Sequence, residues 1–216
     1  MLGGRFVDEK TTKVYQTYKP FPSYVQVSFG VGADLGAEPG FLALFLDREI
    51  RLDPQTTEDT VSFRIFNYDP TFAPPGKTAV VAFLGTYDHE YWRDLRQSDR
   101  ARYETEKKRI AGEIVALFEQ RFPQAAGKIE VVDVATPATV IRYTGNWRGS
   151  MEGWLLTPAT GMKTLPCVLP GLKGFYMVGQ WISPGGGLPS GLMTGRMVAR
   201  RIAKGTGLPW RPSNSR

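Results

Sequence analysis

The hydrophobic period changes once along this chain, and that change bounds the fold. Residues 23–29 (SYVQVSF) alternate apolar with polar side chains and are rich in β-branched and aromatic types. Residues 41–46 (FLALFL) form a short apolar run, 61–66 (VSFRIF) alternate again, and 78–84 (TAVVAFL) are almost wholly apolar. Such patterns predict strands. From about residue 88 to 121 the chain is charged, and Ile110, Ile114, Leu117 and Phe118 recur at three- and four-residue spacing, one apolar face of a helix. Asp88 is expected to cap a first helix there and Ser98 a second. Phe122-Pro123 ends the second, because proline cannot continue a helix. Residues 128–134 (KIEVVDV) read as another strand, and 137–174 as irregular, with prolines and glycines scattered through them. A last apolar run, 175–178 (FYMV), reads as a strand that passes through a loop into a helix over 191–202. The fold class is therefore α/β in the mixed, α+β sense: a mixed β-sheet with helices, closed by a strand-loop-helix.

Several functional classes are excluded by what the chain lacks. It has 216 residues, 42% hydrophobic and 22% charged, which suffices for one large domain or two small ones. No run of about 18 apolar residues is present, so no membrane-spanning helix is expected. Residues 1–5 lead into no apolar stretch, which argues against a signal peptide. The one cysteine, Cys167, excludes an internal disulfide and a cysteine-based zinc cluster, and fits a reducing cytoplasm. The one histidine, His89, lies in YDHEY with no Gly-x-Ser-x-Gly elbow elsewhere, and reads as a polar helix-start residue. Charge is uneven: residues 142–216 carry ten Lys and Arg against one acid, Glu152, while the remainder nets −3. That basic third suits either an anionic partner or a solvated helix face. No helix-turn-helix or RNA-binding motif accompanies it, so nucleic acid is not the expected partner.

Three stretches carry the chemistry. Residues 185–191 (GGGLPSG) place bare backbone before a helix start, where N–H groups and the helix dipole face a ligand. The sixth position is Ser190, not the glycine of a dinucleotide fingerprint, and Pro189 removes a donor. A second glycine set, 30–36 (GVGADLG), follows a good strand but runs into Ala37-Glu38-Pro39-Gly40, which breaks any helix; it reads as a strand end and turn. Residues 136–154 gather aromatics, Arg142, Arg148 and glycines without a strong period, as the wall of a ligand cavity does, or an aromatic core with surface arginines.

Taken together, these stretches resemble the phytoene desaturase and carotenoid isomerase branch of FAD-dependent, amine-oxidase-like oxidoreductases. Residues 69–77 (DPTFAPPGK), 136–153 with its Thr-Pro, Arg-Tyr and Gly-Asn pairs, and 179–191 (GQWISPGGGLPSG) are similar to three motifs of that family, in family order. The resemblance implies FAD, a polyene or other long apolar substrate, and a division into a substrate-binding region (1–165) and a C-terminal FAD-domain segment (166–216). It implies that Gly179, Gln180, Gly186, Gly187, Leu188 and Pro189 meet the flavin. Gln180 stands where many such flavoproteins carry an acid. Trp147, Arg148 and Trp154 would line the substrate side, and no residue is an evident acid or base. The family's N-terminal Gly-x-Gly-x-x-Gly is not in this sequence. The expectation is therefore the C-terminal part of such an enzyme, lacking the first half of a Rossmann-like domain, inactive alone, and partnered by that half. It would be cytoplasmic, at most peripheral to a membrane. The other open reading is a stand-alone module that binds a lipid-like ligand without redox chemistry.

Overall fold

The computed structural model describes residues 3, 5–161 and 163–210, so the opening residues read for a leader lie partly outside it. Among the described residues no helix is long and apolar enough to cross a membrane. The chain divides into a continuous unit, Pro22–Met151, and a discontinuous one, Met1–Phe21 with Glu152–Arg216. The expected boundary at 165/166 thus falls inside the second unit.

The continuous unit is built on one antiparallel sheet. Its strands are β1 (Ser23–Val31), β2 (Phe41–Arg51), β3 (Thr57–Phe66), β4 (Thr78–Thr86) and β5 (Ile129–Ala135), in the order β2-β3-β4-β1-β5. Alternation in the sequence becomes alternation of faces. In β1 Val25, Val27, Phe29 and Val31 are buried while their neighbours are only partly covered. The same face of β3 and β4 adds Val61, Phe63, Ile65, Val80, Ala82 and Leu84.

Against that face packs the long helix α3 (Arg100–Arg121), through Ile110, Ile114 and Phe118. The Phe118 ring meets Phe29 edge-on at 4.9 Å and Phe63 at 5.2 Å. The helix before it, α2 (His89–Ser98), adds Trp92 and Leu95. Asp88 caps α2 as expected, accepting from the Tyr91 N–H, and His89 opens the helix. The second cap is Asp99, whose carboxylate accepts from the Arg102 N–H; Ser98 is the last residue of α2. An aspartate one residue on offers a charged acceptor to the new helix, which a serine already inside the preceding helix cannot.

The stretch 137–174 is less irregular than expected. Helix α4 (Pro137–Thr144) opens with proline at its first position and ends on Gly145 in the left-handed region. Its Thr139 hydroxyl accepts from the Thr136 N–H at 3.1 Å, and the Thr136 hydroxyl meets Tyr103 Oη at 2.8 Å. The 30–36 glycines form a strand end and turn without a helix, as their sequence predicts.

The discontinuous unit joins helix α1 (Glu9–Thr17), not foreseen from the sequence, to the C-terminal third. Asp8 caps α1 through the Thr11 N–H. At the centre lies Trp154, fully buried, with Tyr15, Tyr18 and Trp181 rings packed edge-on at 5.0, 5.8 and 4.9 Å. Residues 175–178 are not a strand here: among the described residues they pair with no ladder, and the Met177 N–H donates to the Cys167 carbonyl. A strand needs a neighbour to satisfy its backbone, and the run has none. Helix α5 (Gly187–Gly205) closes the unit and starts four residues earlier than the expected 191.

Candidate functional site

The bare backbone of 179–191 sits in the discontinuous unit and is tied down by neighbours the motif itself does not contain. The Thr194 hydroxyl accepts from the Gly179 N–H at 2.9 Å and donates to the Ser190 carbonyl at 2.7 Å, so one side chain on α5 fixes the turn that precedes it. The Gly185 N–H bonds the Trp154 carbonyl at 2.9 Å, and Trp154 Nε1 donates to the Trp181 carbonyl at 3.0 Å. Gly153 lies so close that a methyl group on it would collide with the Gln180 carbonyl.

Glu152 gives part of the answer to why 186 and 187 are glycines. A Cβ on Gly186 would lie 2.6 Å from Glu152 Cβ and 2.7 Å from its Oε2; one on Gly187 would lie 3.1 Å from Oε1. The glutamate side chain therefore lies flat against the start of α5, and its charge complements the partial positive end of a helix that has no acid in its own first turn. The sequence marked Glu152 only as the one acid of the basic C-terminal third and as a position within the 136–153 stretch; lying 34 positions from Gly186, it carried no sign of this contact.

The remaining expected cofactor contacts differ in exposure. Gln180 and Gly187 are half-buried, Gly186 is buried, and Pro189 is exposed. Leu188 is 91% exposed, the most accessible large apolar side chain described. Around Gly179 no atom lies within 4 Å of where a Cβ would stand. Leu192 and Met193 continue the exposed apolar surface of α5.

The three expected substrate residues are divided between the two units. Trp147 and Arg148 belong to the continuous unit, where the guanidinium stacks 4.3 Å from the indole and Arg148 holds a positive φ of 58°. Trp154 belongs to the other unit and has no exposed surface to offer a ligand; it is a packing centre. What the sequence did not single out is the face of the sheet turned away from α3. There Tyr24 meets Phe83 at 4.5 Å, and burial pushes the Tyr24 hydroxyl up. A cavity of about 460 Å³ opens along β1, β4 and β5, lined by Ser28, Phe72, Pro74, Val81 and Val131 among others. The 69–77 loop contributes to its lining; within the loop Asp69 accepts from both the N–H and the hydroxyl of Thr71, and Lys77 pairs with Glu130 at 2.6 Å.

A second, polar cavity gathers Glu58, Asp88 and His89. Burial pushes both carboxyls up, with Asp59 adding to the effect at Glu58. Beneath it Asp53 is buried and accepts from the Thr86 hydroxyl at 2.7 Å. Among the described residues no cluster of His, Cys, Asp and Glu could hold a metal ion.

Residues 35–203, and with them all three motifs, match the model of flavin containing amine oxidoreductases. The chain belongs to the flavin containing amine oxidoreductase family. Within it the chain is similar to the chloroplastic prolycopene isomerase of Daucus carota, 30% identical over 141 residues, 65% of this chain and 22% of that protein. The counterpart in Arabidopsis thaliana is 24% identical over 210 residues, 96% of this chain and 35% of that protein. Prolycopene isomerase 1 of an Oncidium hybrid cultivar is 28% identical over 141 residues, 65% of this chain and 23% of that protein. The chain thus spans between about a fifth and about a third of the length of these relatives.

Proposed function

We propose that this chain is the C-terminal part of an FAD-dependent oxidoreductase or isomerase that acts on a polyene or similarly long apolar substrate. It would be incomplete as a flavin site by itself, and completed by a nucleotide-binding half. The observation that carries the reading is the glycine-rich turn at Gly179–Gln180 and Gly187–Pro189, half-buried at Gly179, Gln180 and Gly187 and exposed at Leu188 and Pro189, inside the segment matched by the family. Its fit to a flavin is selective. Open space beside Gly179 and the exposed Leu188 suit a flat ring or ribityl chain, whereas the Glu152 carboxylate over Gly186 and Gly187 disfavours a phosphate at the start of α5.

Bound flavin would supply hydride acceptance and return; the chain's residues would supply position and environment. Thr194 holds the Gly179 turn, and Gln180 offers an amide that can both donate and accept. Leu188 and Pro189 present an exposed apolar edge that would exclude water once covered by the ring. Tyr24, Val81 and Phe83 on the open sheet face would wall the hydrocarbon. Trp147 and Arg148 keep their proposed place on the substrate side; Trp154 acts only by supporting the turn.

The test is a titration of the chain with FAD up to about millimolar, where binding is worth only ~4 kcal/mol, followed by backbone amide NMR. Shifts concentrated at Gly179, Gln180, Gly187 and Leu188 at the top of the range are expected. No response there would overturn the site. Flavin retained through purification would overturn the statement that the site is incomplete.

A further inference from the structure

A second ligand site, argued from a different observation, lies beside α1 and borders the Gly179–Gln180 turn. A cavity of about 250 Å³ opens between that helix and the segment before α5, walled by Val14 and Tyr15 on one side and Met177, Trp181 and Ile182 on the other. It is somewhat smaller than the roughly 300–1,000 Å³ usual for small-ligand pockets. Helix α1 has no buried residue, although Val14 and Tyr15 turn toward this space; its contact with Trp154 is through aromatic edges. The apolar side of α1 therefore borders unfilled room.

The lining is apolar apart from Lys10 and Thr11. Lys10 is exposed, and among the described residues its ammonium makes no salt bridge. Its acidic neighbour Asp8 is engaged by Thr11 as the helix cap. The surrounding unit carries 12 Lys and Arg against 3 Asp and Glu, a net of +9, so its field favours an anion. A lone ammonium is a point charge, suited to a single carboxylate; bidentate recognition of a phosphate would call for an arginine fork, and among the described residues no arginine lines this cavity. We infer that this cavity binds the chain of a monomeric, single-tailed carboxylate amphiphile, a medium-chain fatty acid, with Lys10 pairing its head group.

The experiment titrates the full chain with laurate below its micelle concentration, by calorimetry and tryptophan fluorescence, beside dodecanol as the uncharged match. One saturable site for laurate is expected, with dodecanol about tenfold weaker or worse, a difference of about 1.4 kcal/mol. Lys10→Glu should weaken laurate by a similar factor and leave dodecanol unchanged. Val14→Trp should abolish both by filling the space; if that variant melts without a cooperative transition, Met177→Trp fills it from the opposite wall. Absence of saturable binding would overturn the site, as would laurate binding indifferent to Lys10→Glu and to the filling variant. Binding to anionic vesicles alone, with no monomer bound, would overturn it too and mark a surface patch.

Discussion

Gly153 and Gly186 are bare for reasons that differ from those of Gly191, and substitution by alanine separates them. At Gly153 a methyl meets the fixed Gln180 carbonyl; at Gly186 it meets Glu152 Cβ while the backbone sits at φ 58°. Gly153→Ala and Gly186→Ala are each expected to cost about 2–4 kcal/mol, since neither neighbour is the free end of a side chain. Gly191 lies within α5 with nothing inside 4 Å, so Gly191→Ala should be neutral or gain up to about 1 kcal/mol. Urea denaturation of the three variants checks the order; equal costs would show that the glycines serve flexibility and not close approach. Glu58 supplies a pH prediction. Its carboxyl is raised in the folded state by burial, so folding favours the protonated form. The penalty is absent below the ordinary glutamate range and develops as pH rises through it toward the raised value, persisting above. Glu58→Gln should therefore raise Tm at pH 7 and give a shrinking difference as pH falls through 5 to 4; a constant difference across that range would assign the gain to packing. At this scale the sequence showed which residues had bare backbone but not what lies on it. Glu152 and Thr194 act across the fold, and no local pattern marks such contacts.

Elements were legible where the period was clean. The five strands of the sheet follow alternation or apolar runs, and α3 follows its one apolar face. Where one interaction decides an element, the sequence was ambiguous: Ser98 and Asp99 are both good caps, and only the backbone chooses. Asp99→Ala should cost about 1 kcal/mol and Ser98→Ala much less, measurable by thermal melts; the reverse order would mean that α2 and α3 divide elsewhere in solution. Residues 175–178 failed in the opposite sense, since strand-like composition there lacks the partner that makes a strand. Helix α1 had its signal in the Asp8 cap, weakened by a body with few apolar residues.

For the whole molecule, the division into units escapes a linear reading, because one of them joins residues 1–21 to 152–216. The switch from strands to helices lies inside the other. That continuous unit holds the full sheet and the core around Phe118, so residues 22–151 expressed alone should melt cooperatively with mixed α/β circular dichroism. A non-cooperative melt would mean that its core depends on the remainder. The flavin motif at 179–191 and the loop at 69–77 were legible as a family signature, since each is local. The sheet face bearing Tyr24 and Phe83 was not, since it is assembled from several strands.

The discontinuity also sets a clock. During synthesis α1 leaves the ribosome long before Trp154 and Trp181, the rings that hold it. At about 5–20 residues per second, the intervening stretch Pro22–Met151 occupies roughly 7–26 s. In that interval the continuous unit has time to fold, while Tyr15 and Tyr18 wait without the indoles they later pack against. Helix α1 is thus made seconds before the rings it packs against.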